Sequence, residues 1–167
     1  MKKIFLSPFV ILFTTILFAQ EDIDDLPLED VVESKIEQPL PTANWESSYK
    51  EALNKSKKEK KPVLIYFTGS DWCGPCKVLD KKLFHSEKFK NIADKELILY
   101  EADNPRNKDL VEAKRLKETY DLIRKYHVKS YPTLVFVNHR GRMIGYKKGL
   151  ILTEYYYPFI NSVIENY

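Results

Sequence analysis

From residue 44 onward the chain alternates between short continuous apolar runs and longer stretches in which apolar residues recur every three or four positions. The helical spacing of Trp45, Tyr49, Ala52 and Leu53 predicts a helix over 45–58. Val63 to Phe67 is an uninterrupted apolar run, the pattern of a strand buried on both faces. A long helix is expected from Cys73 to about Ala93, broken near His85-Ser86, where Ser86 can cap a second piece. Leu97 to Ala102 reads as another strand, closed by Asp103-Asn104-Pro105. Asp109 to Tyr126 reads as an amphipathic helix with Leu110, Ala113, Leu116, Tyr120 and Ile123 on its apolar face. Thr133 to Val137 is a strand, Asn138 to Gly141 a tight turn, and Met143 to Lys147 its antiparallel return. A helix over 152–165 closes the chain. The order α-β-α-β-α-β-β-α implies an α/β domain. Its strands are expected to pair in parallel through right-handed crossovers, with one antiparallel edge hairpin and helices flanking the mixed sheet.

The first 43 residues follow other rules. Lys2 and Lys3 precede an apolar, uncharged run from Ile4 to Phe18, and Ala19 offers a small residue for cleavage, so residues 1–20 read as a secretory signal. The run is short for a membrane span. Residues 21–43 carry eight acidic residues against Lys35 alone, with Pro27, Pro39 and Pro41. That composition predicts an acidic, disordered linker. Residues 44–167 keep 24 of the 27 Lys and Arg but only 16 of the 24 Asp and Glu, a net charge of +8. Such a surface can steer acidic protein partners. Nucleic acid is excluded as a partner, because the charge is spread, no reading motif is present and the chain is exported. The length from 44 to 167 suits one domain with one core.

Two cysteines, Cys73 and Cys76, are the only ones in the chain. A structural zinc site needs four ligands, and His85, His127 and His139 are scattered without ligand spacing. A bridge from i to i+3 closes almost no loop, which argues against a structural staple. An inert buried pair is disfavoured by the small and polar residues Gly69, Ser70, Asp71 and Gly74, which suggest an exposed turn. A dithiol/disulfide redox pair is the favoured reading. Cys73 falls where a strand ends and a helix begins. The partial positive charge of a helix N-terminus stabilises a thiolate there and lowers the thiol pKa. Cys76 lies one turn into the helix on the same side. Pro75 sits in the first turn, where its missing N–H costs nothing.

Trp72-Cys73-Gly74-Pro75-Cys76-Lys77 resembles the active site of the thioredoxin family, and Ser130-Tyr131-Pro132-Thr133 resembles its second mark. The resemblance covers roughly residues 45–167 and implies the thioredoxin fold. It also implies a cis-proline at Pro132, opening a central strand against the cysteine turn. Cys73 would then be the nucleophile and Cys76 the resolving thiol. Trp72, Gly74, Pro75, Pro132 and the backbone of Tyr131 would meet an extended substrate segment. No cofactor is implied. The partners implied are proteins carrying disulfides, with a membrane electron donor to keep the pair reduced and a monomer as the expected state. The exported branches of the family are the nearer match, which points to a bacterial periplasm. Tyr66 stands where family members often carry a buried carboxylate that serves the second cysteine. It is expected to be a core aromatic with a hydrogen-bonded hydroxyl, and Glu101 on the next strand is the candidate proton relay in its place. The Gly-Pro pair resembles that of reducing members, although the sequence does not fix the direction of electron flow. The competing reading is a redox-silent module that grips extended peptides at the Pro132 groove.

Overall fold

The computed structural model describes residues 40–167; the expected signal and nearly all of the acidic segment lie outside the described residues. Helix α1 (Tyr49–Glu59) starts four residues later than the periodicity suggested, because Ser48 caps it by accepting the Glu51 N–H. Trp45 is left outside the helix and forms a short parallel bridge with Leu99. Ala43, assigned to the linker from composition, is 7% exposed and packs into the core. Strand β1 (Val63–Thr68) is buried along its whole length. It leads into α2 (Gly74–Leu79), which runs on through a wider turn, Asp80–Phe84, closed by the His85 N–H to the Asp80 carbonyl. The expected break then occurs, and Ser86 caps α3 (Glu87–Glu96) through the Phe89 N–H.

Strand β2 (Ile98–Asp103) pairs in parallel with β1, placing Glu101 beside Tyr66. Helix α4 (Ala113–Lys125) begins later than expected, after a short 3-10 turn at Lys108–Leu110. Its buried side is also rotated. Leu110 is 57% exposed and Ala113 is exposed, whereas Thr119 and Leu122 are buried. Leu110 falls in the turn before the helix, Leu116, Tyr120 and Ile123 stay half-buried, and two polar side chains of the helix, Arg115 and Glu118, also find partners on the sheet.

Strands β3 (Thr133–Val137) and β4 (Met143–Lys148) complete a four-stranded sheet in the order β2-β1-β3-β4. The expectation of parallel pairing fails at β3, which runs antiparallel to β1, with Thr133 opposite Phe67 and Val137 opposite Val63. The chain reverses without a helix. The Tyr126 hydroxyl donates to the Gly141 carbonyl in the β3–β4 turn, so α4 ends near the Val63–Val137 edge. Residues 127–132 then carry the chain back to the Phe67 end before β3 starts. Gly141 has φ +69°, a left-handed conformation that favours glycine, and Asn138 accepts the Arg140 and Arg142 N–H groups to hold the turn. Helix α5 (Tyr156–Glu165) closes the domain.

Alternation along β1 divides the core in two. Val63, Ile65 and Phe67 pack with Tyr49, Ala52, Leu122 and Tyr126 of α1 and α4. Leu64 and Tyr66 face the other way, against Leu79, Phe84, Phe89 and Ile160 and against both cysteines. No helix among the described residues is long and apolar enough to cross a membrane.

Candidate active site

The cysteine turn is built by hydrogen bonds that stop β1 and start α2. The Cys73 N–H donates to the Gly69 carbonyl at 2.8 Å, and the Ser70 N–H and hydroxyl both donate to the Asp103 carboxylate, at 2.9 and 2.6 Å. Gly69 has to lack a side chain: a Cβ there would lie 2.3 Å from the Trp72 ring. Cys73 is the N-cap of α2, and its sulfur accepts the Cys76 N–H at 3.2 Å. That donor is one of the unpaired N–H groups of a helix start, and a donor placed there favours negative charge on the atom it faces. The two sulfurs are bonded to each other.

The exposed turn expected here is exposed only in part. Gly74 and Pro75 face solvent, but Cys73 retains 3% of its surface and Cys76 1%. Trp72 and Tyr131 pack against the core cluster that contains both cysteines, their rings meeting edge-on with centroids 5.4 Å apart. This contact brings the Ser130–Pro132 loop beside the cysteine motif, and the Tyr131–Pro132 peptide bond in it is cis. The Pro132 carbonyl is taken by the Gly149 N–H, which anchors the loop to the end of β4.

A third wall comes from the segment after β2, which the sequence had marked only as a strand end. Asp71 accepts the Arg106 and Asn107 N–H groups, both at 2.9 Å, and this holds its carboxyl below the ordinary range, Asn107 being the larger influence. The Trp72 indole N–H donates to the Asn104 carbonyl at 2.9 Å, and the Asn104 amide reaches the Tyr131 hydroxyl at 3.2 Å. Asp71 is the capping acid of this wall, and Asp103 and Asn104 are the positioning residues that sequence reasoning missed. Their one signal was the polar cluster at each strand end.

Comparison with known proteins agrees with this geometry. A family model described as Thioredoxin-like matches residues 44–139. The chain belongs to the thioredoxin-like family. Within it, the chain is 38% identical over 109 residues to the disulfide bond reductase DsbH of Chlamydia pneumoniae, covering 64% of each chain. It is 31% identical over 100 residues to the thioredoxin-related protein DsbJ of the same organism, covering 60% of this chain but 28% of that one. A solved DsbH oxidoreductase superposes with a TM-score of 0.67 at 26% identity, over 88% of this chain and 95% of that one. A thioredoxin from Thermus thermophilus, with a TM-score of 0.58 at 20% identity over 74% and 88%, shares the fold.

Behind the cysteines this thioredoxin-like domain has a cavity of about 320 Å³, bordered by Cys76, Tyr66, Asp80, His85, Glu101 and Trp45 among others. Tyr66 is 2% exposed, and its hydroxyl donates to the Cys76 carbonyl at 3.1 Å, as a hydrogen-bonded core aromatic should. Its pKa is pushed up, mainly by burial. Glu101 is half-buried and shares the cavity with Cys76. Burial, then the charges of Asp103 and Asp80, raise its pKa to about 7, with Arg115 opposing. A cavity of this size and mixed lining has room for water between the two groups. No cluster of three or more His, Cys, Asp or Glu able to hold a metal occurs among the described residues.

Proposed function

We propose that this protein reduces disulfides in exported proteins by thiol-disulfide exchange. The observation that carries the reading is the Cys73–Cys76 pair at the start of α2, with the Cys73 sulfur accepting a main-chain N–H beside the cis-Pro132 loop. Similarity to a relative named as a disulfide bond reductase supports the reductive direction, although the chain spans only 64% of that relative's length.

The steps balance in atoms and electrons. In the reduced form the Cys73 thiolate attacks one sulfur of a substrate disulfide; a mixed disulfide forms and the second substrate thiolate leaves, taking a proton from water. Cys76 then loses its proton and attacks the Cys73 sulfur. The Cys73–Cys76 bond forms and the first substrate thiolate leaves, so two electrons have passed from the pair to the substrate. Glu101, across the cavity, is the group we assign to receive the Cys76 proton. Trp72, Gly74 and Pro75 offer the surface on which the substrate rests. The Tyr131 backbone and Pro132 line the side where an extended segment pairs. A Cβ at Gly74 would meet nothing within 4 Å, so that position leaves open space for the substrate chain. The turnover cycle needs an external dithiol donor, and for an exported protein that donor is in the membrane. Residues 1–20 direct export, to a periplasm, and the acidic segment that follows, ending before Ala43, links the signal to a monomeric domain.

Dithiothreitol-driven insulin reduction tests the reading against a redox-silent peptide-binding module. Cys73→Ser is expected to fall to the uncatalysed rate, and Cys76→Ala to accumulate mixed disulfides with exported proteins. Equal rates for wild type and Cys73→Ser would leave only the binding module.

A further inference from the structure

The loop after β2 carries charge that the exchange chemistry does not use. Arg106 lies with its guanidinium carbon 5.4 Å from the Trp72 ring centroid, a cation–π distance. Beside it a cavity of about 200 Å³ is lined by Trp72, Asn104, Pro105, Arg106 and Lys108. Two of these five residues are cationic and none is acidic. Neither Arg106 nor Lys108 is within ion-pair distance of a carboxylate among the described residues. Asp71, the nearby acid that feels the Arg106 charge, accepts main-chain N–H groups with both of its oxygens. The Lys108 ammonium is folded back on the Asn104 side chain and the Pro105 carbonyl, which fixes its position.

This wall is held in place. Pro105 is buried, the Asn104 N–H donates to the Thr68 carbonyl at 2.9 Å, and the Asp71 carboxylate caps the turn at Arg106 and Asn107. A guanidinium and an ammonium on a fixed loop, sharing Trp72 with the cysteine turn, present positive charge that a carboxylate can meet. Arg also suits a planar two-oxygen acceptor. We propose that the Trp72–Arg106–Lys108 cavity is a specificity subsite that selects substrate polypeptides with an Asp or Glu side chain close in sequence to the disulfide. The proposal rests on the exchange reading above and adds to it the class of substrate.

The test uses the intact reduced protein and synthetic disulfide peptides. The peptides are identical except for Glu, Gln or Lys placed at successive positions on either side of the cysteine. The second-order rate constant is measured for each. At one or more positions, wild type is expected to reduce the Glu peptide about two- to fivefold faster than the Gln peptide, the size of a partly solvated ion pair. The Lys peptide should be slowest, and the preference should shrink at about 1 M salt. Arg106→Gln should bring the Glu-to-Gln ratio to unity at that position, and Arg106→Glu should invert the order toward Lys. Equal wild-type rates at every position, or a preference untouched by Arg106→Gln, would overturn the subsite. A complete lack of reduction of every peptide is a different readout and removes exchange itself, and the subsite with it.

Discussion

Two glutamates, one on each face of the sheet, show how differently a half-buried carboxylate can be surrounded. Glu118, on α4, accepts the Tyr49 N–H at 3.0 Å and the Tyr100 hydroxyl at 2.6 Å, and so joins α1, β2 and α4. Glu101, on β2, faces the cysteine side. No donor among the described residues reaches its carboxylate, and burial with the acids Asp103 and Asp80 outweighs the opposing charge of Arg115. Burial with donors leaves a charge satisfied and structural; burial among acids favours the neutral form and moves titration toward neutrality. The same sheet thus carries a fastened face and a face with a titratable acid lining the cavity that Cys76 borders.

The fixed face should be the more sensitive to stability. Leu122→Ala, at a buried position of α4, is expected to cost about 2–5 kcal/mol in urea denaturation. Leu110→Ala, on the side that was expected to be buried, should cost under about 0.5 kcal/mol. Similar costs for the two would show that the burial of Leu122 and the exposure of Leu110 are placed wrongly. Next comes Glu118→Ala, which strands the Tyr100 hydroxyl and the Tyr49 N–H and should cost about 2 kcal/mol. Its exchange rate per folded molecule should stay at the wild-type level.

Glu101→Gln should act in the opposite sense. The folded-state pKa of Glu101 is raised, so its contribution to stability is fully present below its ordinary value and is lost as pH rises through about 7. The Gln variant should therefore be more stable than wild type at pH 8, by about 1–2 kcal/mol, and no more stable at pH 4. Resolution of the mixed disulfide should rise with pH through about 7 in wild type. In the variant it should be about tenfold slower or more and lack that inflection. An unchanged rate profile with the stability gain present would leave Glu101 as a buried acid with no part in proton transfer.

The elements and the reactive pair were legible because their signals are local. A continuous apolar run makes a buried strand wherever it falls, and Ser86 ahead of Glu87 caps a helix on its own terms. Two cysteines three residues apart with Pro75 between them need only a helix start to stand as a redox pair. Pro132 could be singled out from a tetrapeptide. The orientation of β3 was not legible, because it depends on residues 127–132 crossing back over the sheet, and an irregular segment leaves no periodic trace. The rotation of α4 was also hidden. Arg115 and Glu118 look like solvent residues until Tyr49, Tyr100 and the Glu101 carbonyl are brought within reach.

Sequence by itself determined which residues carry sulfur chemistry and which runs fold as strand or helix, since those choices follow from each residue and its close neighbours along the chain. Only the tertiary structure decided that Glu101 shares a cavity with Cys76 and that Asp71 holds the 104–108 loop against Trp72. It alone set Glu118 to join three elements. Hydrogen bonds and desolvation act through space, and the partners that satisfy or strand a polar group are chosen when distant segments pack.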